Sequence, residues 1–283
     1  MFERSLPPLL KADLPASAQK WMDQLEVAGW DPVWQLGERG PQARVRAFPA
    51  GKLALFDGDR PTGVSIPIVA YVLRAGDLTM AIDNGLAARW RAPSDEAPDE
   101  GLSTGQRYRP VLDGPTFAER LATEGIIVDR AVCTHLHLDH AGGSRELGVP
   151  IEASADELAV ALGGEVPAYP AGDLAGVPMT PIHVDRGPVG PWPQYAELAP
   201  GVLAVATPGH TAGSISVLAR LAGRWGLACG DAAYPPADAP DSEAYRGMLR
   251  IRRALGEVGG TLVLAGHDTA VLRACADGRW LGD

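Results

Sequence analysis

The chain has 283 residues, of which 46% are apolar and 21% are charged, and its formal net charge is -10 at pH 7. This composition is typical of a globular domain and excludes a disordered chain, and the acidic balance disfavours nucleic acid or an anionic membrane as the main partner. There is no apolar run long enough to span a membrane, no apolar core of a signal peptide, and the three cysteines are too few for a disulfide framework. We therefore expect a cytoplasmic protein that forms a single domain over residues 1–283.

The first elements along the chain are one helix and a series of short strands. Residues 16–28 are predicted to form a helix because their apolar residues recur on one face and Gly29 follows them. We interpret residues 1–40 as an N-terminal extension packed on the main body. From Arg44 onward come the β-runs "RVRAFPA", "KLALFDG", "SIPIVAYVLRAG" and "LTMAIDNG", each bounded by Gly, Pro or Asp. The polar segment 91–115, rich in Pro and Gly, is predicted to be a surface loop.

The following elements alternate between helices and strands. A helix is predicted over Phe117–Glu124, followed by a buried strand, "IIVDRAVCT". "GVLAVATPGH" is predicted to be a strand, and "SISVLARLAGRWGLACGD" a hairpin that turns at Ala222 and Gly223. A second amphipathic helix over Ser242–Val258 precedes the strand "TLVLAGHD". This alternation predicts a layered α/β architecture with a functional site along one edge of a sheet.

The segment "AVCTHLHLDHAGGS" contains three of the six histidines and an aspartate within six consecutive positions. At the end of a strand, His135 and His137 would share a face, whereas on a helix they would diverge. Asp139 and His140 follow, where the chain turns away over "AGG". Each ring nitrogen of a buried histidine needs a partner, so a cluster without a function is costly. The pattern therefore indicates a metal site.

Three further residues of the same chemical types also follow strands. They are His210 in "TPGHTAG", Asp231 in "CGDAAY" and His267 in "AGHD". Five histidines and two aspartates make seven candidate ligands, and a bridging Asp231 would raise the number of contacts to eight, four for each of two ions. A bridged pair of ions activates water and stabilises a developing oxyanion. The predicted cofactors are two divalent transition-metal ions, zinc first, with iron, manganese or cobalt as alternatives.

The set "THLHLDH", "PGH", "GD" and a late "GHD" resembles the metallo-β-lactamase superfamily over roughly residues 44–269. The resemblance implies a four-layer αββα sandwich of the α/β class. It implies that one ion is bound by His135, His137 and His210, and the other by Asp139, His140 and His267, with Asp231 bridging the two. It also implies that Asp83 in "IDNG" is a buried structural carboxylate. Where Asn84 stands, the family usually has Thr.

The chemistry of this superfamily varies, so the subfamily needs separate arguments. True β-lactamases usually carry Cys or Ser at the position of Asp231, and hydroxyacylglutathione hydrolases add a C-terminal helical domain for which the segment after His267 is too short. "GDAAY" instead resembles the N-acyl homoserine lactonases, which place a tyrosine three residues after the bridging aspartate. Tyr234 occupies that position. A role as a packing or rim aromatic is the alternative for Tyr234.

We therefore predict a metal-dependent hydrolase that opens a lactone or related carboxylic ester by attack of water activated at the metal ions. The resemblance implies that Tyr234 donates a hydrogen bond to the attacked carbonyl and that Asp139 carries a proton to the leaving oxygen. The expected partner is a small-molecule substrate, and the expected assembly is a monomer or a homodimer. Hydrolysis of a thioester or phosphodiester in the same site remains open, as does a non-hydrolytic iron-binding function.

Other candidate residues receive structural interpretations. His183, in "TPIHVDRG", is predicted to have a structural or surface role. Cys133 and Cys229 lie on apolar strands and are predicted to pack in the core. The Trp- and Pro-rich segment "GPVGPWPQY" could either line the substrate entrance or fold over the surface.

Overall fold

The computed structural model describes residues 31–58, 60–91, 106–163, 168–190, 192–208, 210–232 and 261–282. Several sequence-based predictions lie outside these residues. They are the helices over 16–28 and 242–258, most of the proposed extension, the first part of the predicted loop, and Tyr234.

The first sheet has seven strands in the order β4-β1-β2-β3-β5-β6-β7. They are β1 (Ala43–Asp57), β2 (Arg60–Ala75), β3 (Leu78–Ile82), β4 (Gln106–Val111), β5 (Arg130–Val132), β6 (Ile151–Ser154) and β7 (Met179–Ile182). The pairs β4-β1, β1-β2 and β2-β3 are antiparallel, whereas β3, β5, β6 and β7 run parallel. The parallel strands therefore end at one edge, which is where the cluster of histidines follows β5.

The second sheet has five strands in the order β12-β11-β10-β9-β8. They are β8 (Tyr195–Ala199), β9 (Val202–Ala206), β10 (Ile215–Leu221), β11 (Arg224–Gly230) and β12 (Thr261–Ala265). The predicted hairpin is confirmed, since β10 and β11 pair antiparallel on either side of Ala222 and Gly223. β12 adds parallel to β11, so the chain leaves both strands at the same edge of the sheet.

The helices are short and lie mostly between strands. They are α1 (Asp31–Glu38), α2 (Phe117–Thr123), α3 (Leu138–Ala141), α4 (Ser144–Leu147), α5 (Ala155–Leu162), α6 (Ala171–Leu174) and α7 (Thr269–Ala274), with single 3-10 turns at Ala88–Arg91 and Ala276–Gly278. The predicted helix at Phe117 is confirmed within one residue of its end. It begins with a capping box in which Thr116 and Glu119 each satisfy the other's backbone N–H.

Three apolar clusters define the layers. The inner faces of the two sheets meet in a cluster that contains Tyr71 and Met80 of the first sheet and Val217 of the second. α2 covers the outer face of the first sheet, where Phe117 packs edge-on against Phe48 at 5.6 Å between ring centroids. The order of layers on this side is helix, sheet, sheet.

The fourth layer lies on the outer face of the second sheet. Leu36 of α1 packs there against a cluster that contains Trp225, Val189 and Trp192. The segment "GPVGPWPQY" therefore folds over this sheet, because Val189 and Trp192 are buried in the cluster and form a β-bridge with each other. The αββα sandwich predicted from the family resemblance is confirmed. No helix in the described ranges is long and apolar enough to cross a membrane.

The structure corrects three local predictions. Part of the predicted loop, Gln106–Val111, is the edge strand β4, and it pairs with Lys52–Asp57 of β1. This strand was not predicted because Pro110 and its polar neighbours are typical of a loop. An edge strand nevertheless tolerates proline, because the backbone N–H groups on its outer side have no strand to pair with. The strand predicted for "IIVDRAVCT" is confined to Arg130–Val132. The runs "RVRAFPA" and "KLALFDG" form one strand, with a register shift between Pro49 and Gly51.

Candidate metal centre

The candidate ligands follow the carboxyl ends of strands from both sheets. His135 and His137 follow β5, His210 follows β9, and Asp231 and His267 follow β11 and β12. The two sheets are joined at this edge by hydrogen bonds. The Tyr71 hydroxyl donates to the carbonyl of Ala265 at 2.6 Å, and the N–H of Ile215 donates to the carbonyl of Thr134 at 2.9 Å. The candidate ligands therefore gather at one edge of the sandwich, and both sheets contribute to the cluster.

The first ligand group consists of His135, His137 and His210, whose candidate ligand atoms lie within 4.8 Å of one another. The His210 Nε2 atom is 2.9 Å from the His137 Nδ1 atom. The Nε2 atom of His135 is buried and has no hydrogen-bond partner within the described part of the chain. Nitrogens about 2 Å from a shared tetrahedral ion lie roughly 3.3 Å apart. The group therefore has the spacing and the unpartnered buried nitrogen that a metal ion would satisfy.

The second ligand group consists of Asp139, His140, Asp231 and His267, all of which are buried. The Nε2 atom of His267 is 3.2 Å from Asp139 Oδ2, and the Nε2 atom of His140 is 3.1 Å from Asp231 Oδ1. Asp231 also reaches the first ligand group, since its Oδ2 atom is 3.5 Å from His210 Nε2. The same Oδ2 atom is 3.4 Å from His267 Nε2, within the second group. One carboxylate thus lies between the two groups.

The opposite ring nitrogens of three histidines are held in place by the surrounding structure. His140 Nδ1 lies 2.8 Å from Asp83 Oδ2, and His267 Nδ1 lies 2.7 Å from the carbonyl of Pro67. His135 Nδ1 is 3.3 Å from the Thr134 hydroxyl. Such contacts fix the ring orientation and direct Nε2 toward a metal.

Asp83 is buried, as the family resemblance implied. It accepts hydrogen bonds from the N–H and the hydroxyl of Thr134, at 2.7 and 3.0 Å. Asn84, where the family usually has Thr, is also accommodated. Its amide nitrogen donates to the Ser144 hydroxyl at 3.0 Å and to the Cys133 sulfur at 3.3 Å. The departure from the family pattern therefore leaves the support of the site intact.

Gly266 allows the residues of the second ligand group to pack closely together. A Cβ atom on Gly266 would lie 2.6 Å from the Cε1 atom of His140 and 2.7 Å from Asp231 Oδ1. Real Cβ atoms do not approach other atoms so closely. The absence of a side chain at this position lets β12 bring His267 up against the two other ligands.

Burial keeps the first ligand group neutral. It lowers the pKa of His135 well below its usual value, and the neighbouring imidazoles lower it further. Burial also lowers the pKa of His137 to about 4, and it lowers the pKa of His210. Neutral imidazole is the form that binds a metal ion.

The second ligand group has the opposite electrostatics. Burial lowers the pKa of His267, but the carboxylates of Asp231 and Asp139 outweigh it and raise this pKa to about 10. The same carboxylates, together with that of Asp83, raise the pKa of His140 against the effect of burial. Burial would raise the pKa of Asp139, yet His140 and His267 hold it at about 2. Without metal, protons on the imidazoles balance the carboxylates at this position.

The residues that were predicted to have structural or surface roles lie outside the two ligand groups. His183 is exposed and belongs to neither ligand group. Cys133 and Cys229 are buried in apolar clusters and form no disulfide, as predicted. Burial raises the pKa of the Cys133 thiol.

Sequence reasoning missed Glu157 and Tyr169. The Glu157 side chain is completely buried, and the Tyr169 hydroxyl donates to it at 2.9 Å. The Tyr169 ring packs edge-on against His137, with 5.0 Å between ring centroids. The one available signal was the pattern Ser154-x-x-Glu157, which is typical of a helix start and predicts a solvent-facing glutamate.

The donor set fits divalent metal ions of the zinc type, which favour imidazole and carboxylate ligands. The fold and this set together define the class, an αββα sandwich with a candidate divalent-metal site at the edge of its sheets. The sequence model of the metallo-beta-lactamase superfamily matches residues 67–277. The chain belongs to this superfamily.

Relatives and solved structures agree with that assignment. Two proteins named as probable metallo-hydrolases, from Mycobacterium bovis and Mycobacterium tuberculosis, are each 34% identical over 217 residues. The match covers 69% of this chain, which spans 64% of the length of each relative.

The similar solved structures share the fold at low sequence identity. A quorum-quenching N-acyl homoserine lactone hydrolase has a TM-score of 0.59 at 19% identity, and the match covers 85% of this chain and 99% of that one. An N-acyl homoserine lactone hydrolase with N-hexanoyl-L-homoserine at its catalytic metal centre has a TM-score of 0.58 at 20% identity, with 85% and 100% covered. A probable metal-dependent hydrolase from Staphylococcus aureus has a TM-score of 0.51 at 14% identity, with 81% and 90% covered.

Proposed function

We propose that the protein is a dinuclear metal-dependent hydrolase that opens a lactone or a related carboxylic ester. The observation that carries this proposal is the position of Asp231 between two groups of ligands. Its Oδ1 atom is 3.1 Å from His140, and its Oδ2 atom is 3.5 Å from His210. A carboxylate placed in this way is suited to bridge a pair of ions.

The assignment of ligands follows from the two groups. The first ion would be held by His135, His137 and His210, the second by Asp139, His140 and His267, and Asp231 would be shared. When bound, such a pair supplies an activated water and a Lewis acid for the attacked carbonyl. The chain neutralises the ions only in part, because the two carboxylates bring a charge of about -2 against about +4 and the imidazoles are neutral. A site of net positive charge favours the negative charge that develops on the carbonyl oxygen.

Two residues are proposed to act on the substrate. The Asp139 carboxylate, buried beside His267 at 3.2 Å, would take the proton of the nucleophile and deliver it to the leaving oxygen. The Tyr234 hydroxyl would donate a hydrogen bond to the attacked carbonyl oxygen. Tyr234 lies outside the described residues, and its role rests on its position three residues after Asp231.

The choice of a lactone is supported by this tyrosine. The solved lactone hydrolases with a similar fold are consistent with it, but at about 20% identity they share architecture and need not share a substrate. Thioester and phosphodiester hydrolysis use the same kind of ligand set. The substrate therefore has to be decided by activity.

A substrate panel tests the proposal. Metal-replete protein is assayed in a pH-stat against N-acyl homoserine lactones, simple carboxylic esters, a thioester and a phosphodiester, with chelated protein as the blank. We expect lactones or esters to be hydrolysed fastest, and the activity to be lost on chelation and restored by metal. Turnover of the thioester or phosphodiester alone would replace the proposed substrate class. An iron chromophore without hydrolysis of any compound would refute the hydrolase itself.

A further inference from the structure

We infer that Glu157 is a positioning residue for the first ligand group, and this inference rests on the proposed metal site. Its carboxylate connects the two loops that supply His135, His137 and His210. No metal-ligand motif in the sequence points to Glu157, which lies in the first turn of α5, just after β6.

The hydrogen bonds of Glu157 reach both loops. Its Oε1 atom accepts from the N–H of Leu136 at 2.9 Å, and Leu136 stands between His135 and His137. Its Oε2 atom accepts from the Thr211 hydroxyl at 2.6 Å, and Thr211 directly follows His210. One carboxylate thus binds residues directly adjacent to all three histidines of the first ligand group, through the backbone at Leu136 and the hydroxyl at Thr211.

The start of α5 holds the same loop through two further contacts. The Ser154 hydroxyl donates to the carbonyl of Gly213 at 2.6 Å while it accepts from the N–H of Glu157 at 3.1 Å. A Cβ atom on Gly213 would lie 2.3 Å from the nitrogen of Glu157, so the loop after His210 packs directly on the helix backbone. The position of the carboxylate is therefore set by the helix and cannot adjust freely.

The charge of Glu157 also points to a cation nearby. Its side chain is completely buried, and its partners within the described residues are neutral donors, namely Leu136, Tyr169 and Thr211. Burying a carboxylate without a basic partner is costly. The first ligand group consists of neutral imidazoles, and a metal ion bound there would supply a positive charge.

Asp83 provides an internal comparison. It is the buried carboxylate behind the second ligand group, where it contacts His140 at 2.8 Å and accepts from Thr134. Glu157 occupies the corresponding place behind the first ligand group, although it acts through the backbone and a hydroxyl rather than through a ligand ring. Each group would then have its own supporting carboxylate.

Metal titration tests the inference. Co²⁺ is titrated into metal-free protein in the presence of a competing chelator, and the binding step that His137→Ala removes is assigned to the first ligand group. We expect Glu157→Gln to weaken that step by roughly 10- to 100-fold and to change the other step by less than about twofold. Asp156→Asn, at an exposed neighbour on the same helix, is the matched control and should change neither step.

The outcomes separate the inference from the proposed function. Equal weakening of both steps, or no weakening in a folded Glu157→Gln variant, would overturn the positioning role. If Glu157→Gln does not fold, Tyr169→Phe and Thr211→Val each remove one donor to the carboxylate, and selective weakening of the first-group step is required of them instead. A wild-type chain that binds no ion would refute the metal site itself, and the positioning role with it.

Discussion

The Asp231 carboxylate is in contact with histidines of both ligand groups, which makes it the most informative residue to change. We expect Asp231→Asn to lose metal and activity together, because the amide removes one negative charge and leaves a single oxygen ligand in place of two. Metal content by elemental analysis and the rate of hydrolysis are measured on the same preparation. Loss of activity with full metal content would contradict the bridging assignment.

His183→Ala is the matched control for that experiment. His183 is exposed and lies in neither ligand group, so this variant should keep both metal and activity. If it loses an ion, the assignment of ligands is wrong.

Tyr234→Phe tests the proposed hydrogen bond to the developing oxyanion. We expect both ions and the fold to be retained, while kcat falls by roughly ten- to a thousandfold with a smaller effect on KM. The reason is that the bond strengthens as the carbonyl oxygen gains charge. Steady-state kinetics on a hydrolysed lactone measure the two constants. An unchanged kcat would assign Tyr234 a packing role and remove the most specific support for a lactone.

At the residue scale the sequence indicated the seven candidate ligands, because histidines and aspartates that follow apolar strands form an unusual pattern. The same reasoning could not identify Glu157. In sequence it is an ordinary glutamate in the first turn of a helix, where acidic residues are common. The structure shows that this turn is buried between two loops, through the hydrogen bonds of Glu157 to both and the packing of Gly213 on α5.

At the scale of elements, the junction between α5 and the loop after His210 supports a prediction. We expect Gly213→Ala to destabilise the fold by about 1–3 kcal/mol. The added Cβ atom would lie 2.3 Å from the backbone nitrogen of Glu157, and backbone, unlike a flexible side chain, cannot rotate away. Thermal unfolding of the metal-free protein measures the effect.

Gly172→Ala, in α6, is the control for this strain. A Cβ atom at Gly172 would have no neighbour within 4 Å, so the substitution should be neutral or stabilise by up to about 1 kcal/mol. Equal effects of the two substitutions would show that the junction tolerates extra volume.

Elements with a strong local pattern were predicted well, and those that depend on their neighbours were not. The capping box at Thr116 and the turn at Ala222 and Gly223 are encoded within a few residues. β4 is different, since it is a strand only because β1 extends far enough, to Asp57, to offer it a partner. Pairing between segments that are distant in the chain cannot be predicted from a short stretch of sequence.

At the scale of the whole molecule, the metal-free protein should bind close to two ions per chain and release protons as it does so. At neutral pH the imidazoles of His267, with a pKa of about 10, and of His140, whose pKa is also raised, carry protons that a metal must displace. The apparent affinity should therefore rise with pH up to about pH 10, where His267 loses its proton without metal, and fall as the solution is acidified. Calorimetry in buffers of different ionisation enthalpy counts the protons. One ion in an active preparation would contradict the dinuclear assignment.

The four-layer fold was predictable because the family motifs indicate it. The alternation of strands and helices alone favours only a layered α/β architecture. The order of strands was not predictable. It depends on which strands pair across the molecule, as in the parallel contact between β11 and β12. In contrast, the position of the site followed directly from where the polar residues end the strands.

The candidate ligands come from both sheets. Those from His135 to His140 follow β5, and His210, Asp231 and His267 follow strands of the second sheet. Bound ions would therefore cross-link the two sheets of the sandwich along the edge where the candidate ligands lie. An ion present at a hundred times its dissociation constant adds about 2.7 kcal/mol to the stability of the folded chain. We expect metal depletion to shorten the lifetime of the protein in the cell as well as to abolish its activity. The reason is that proteases degrade unfolded chains, and the metal-free protein unfolds more often.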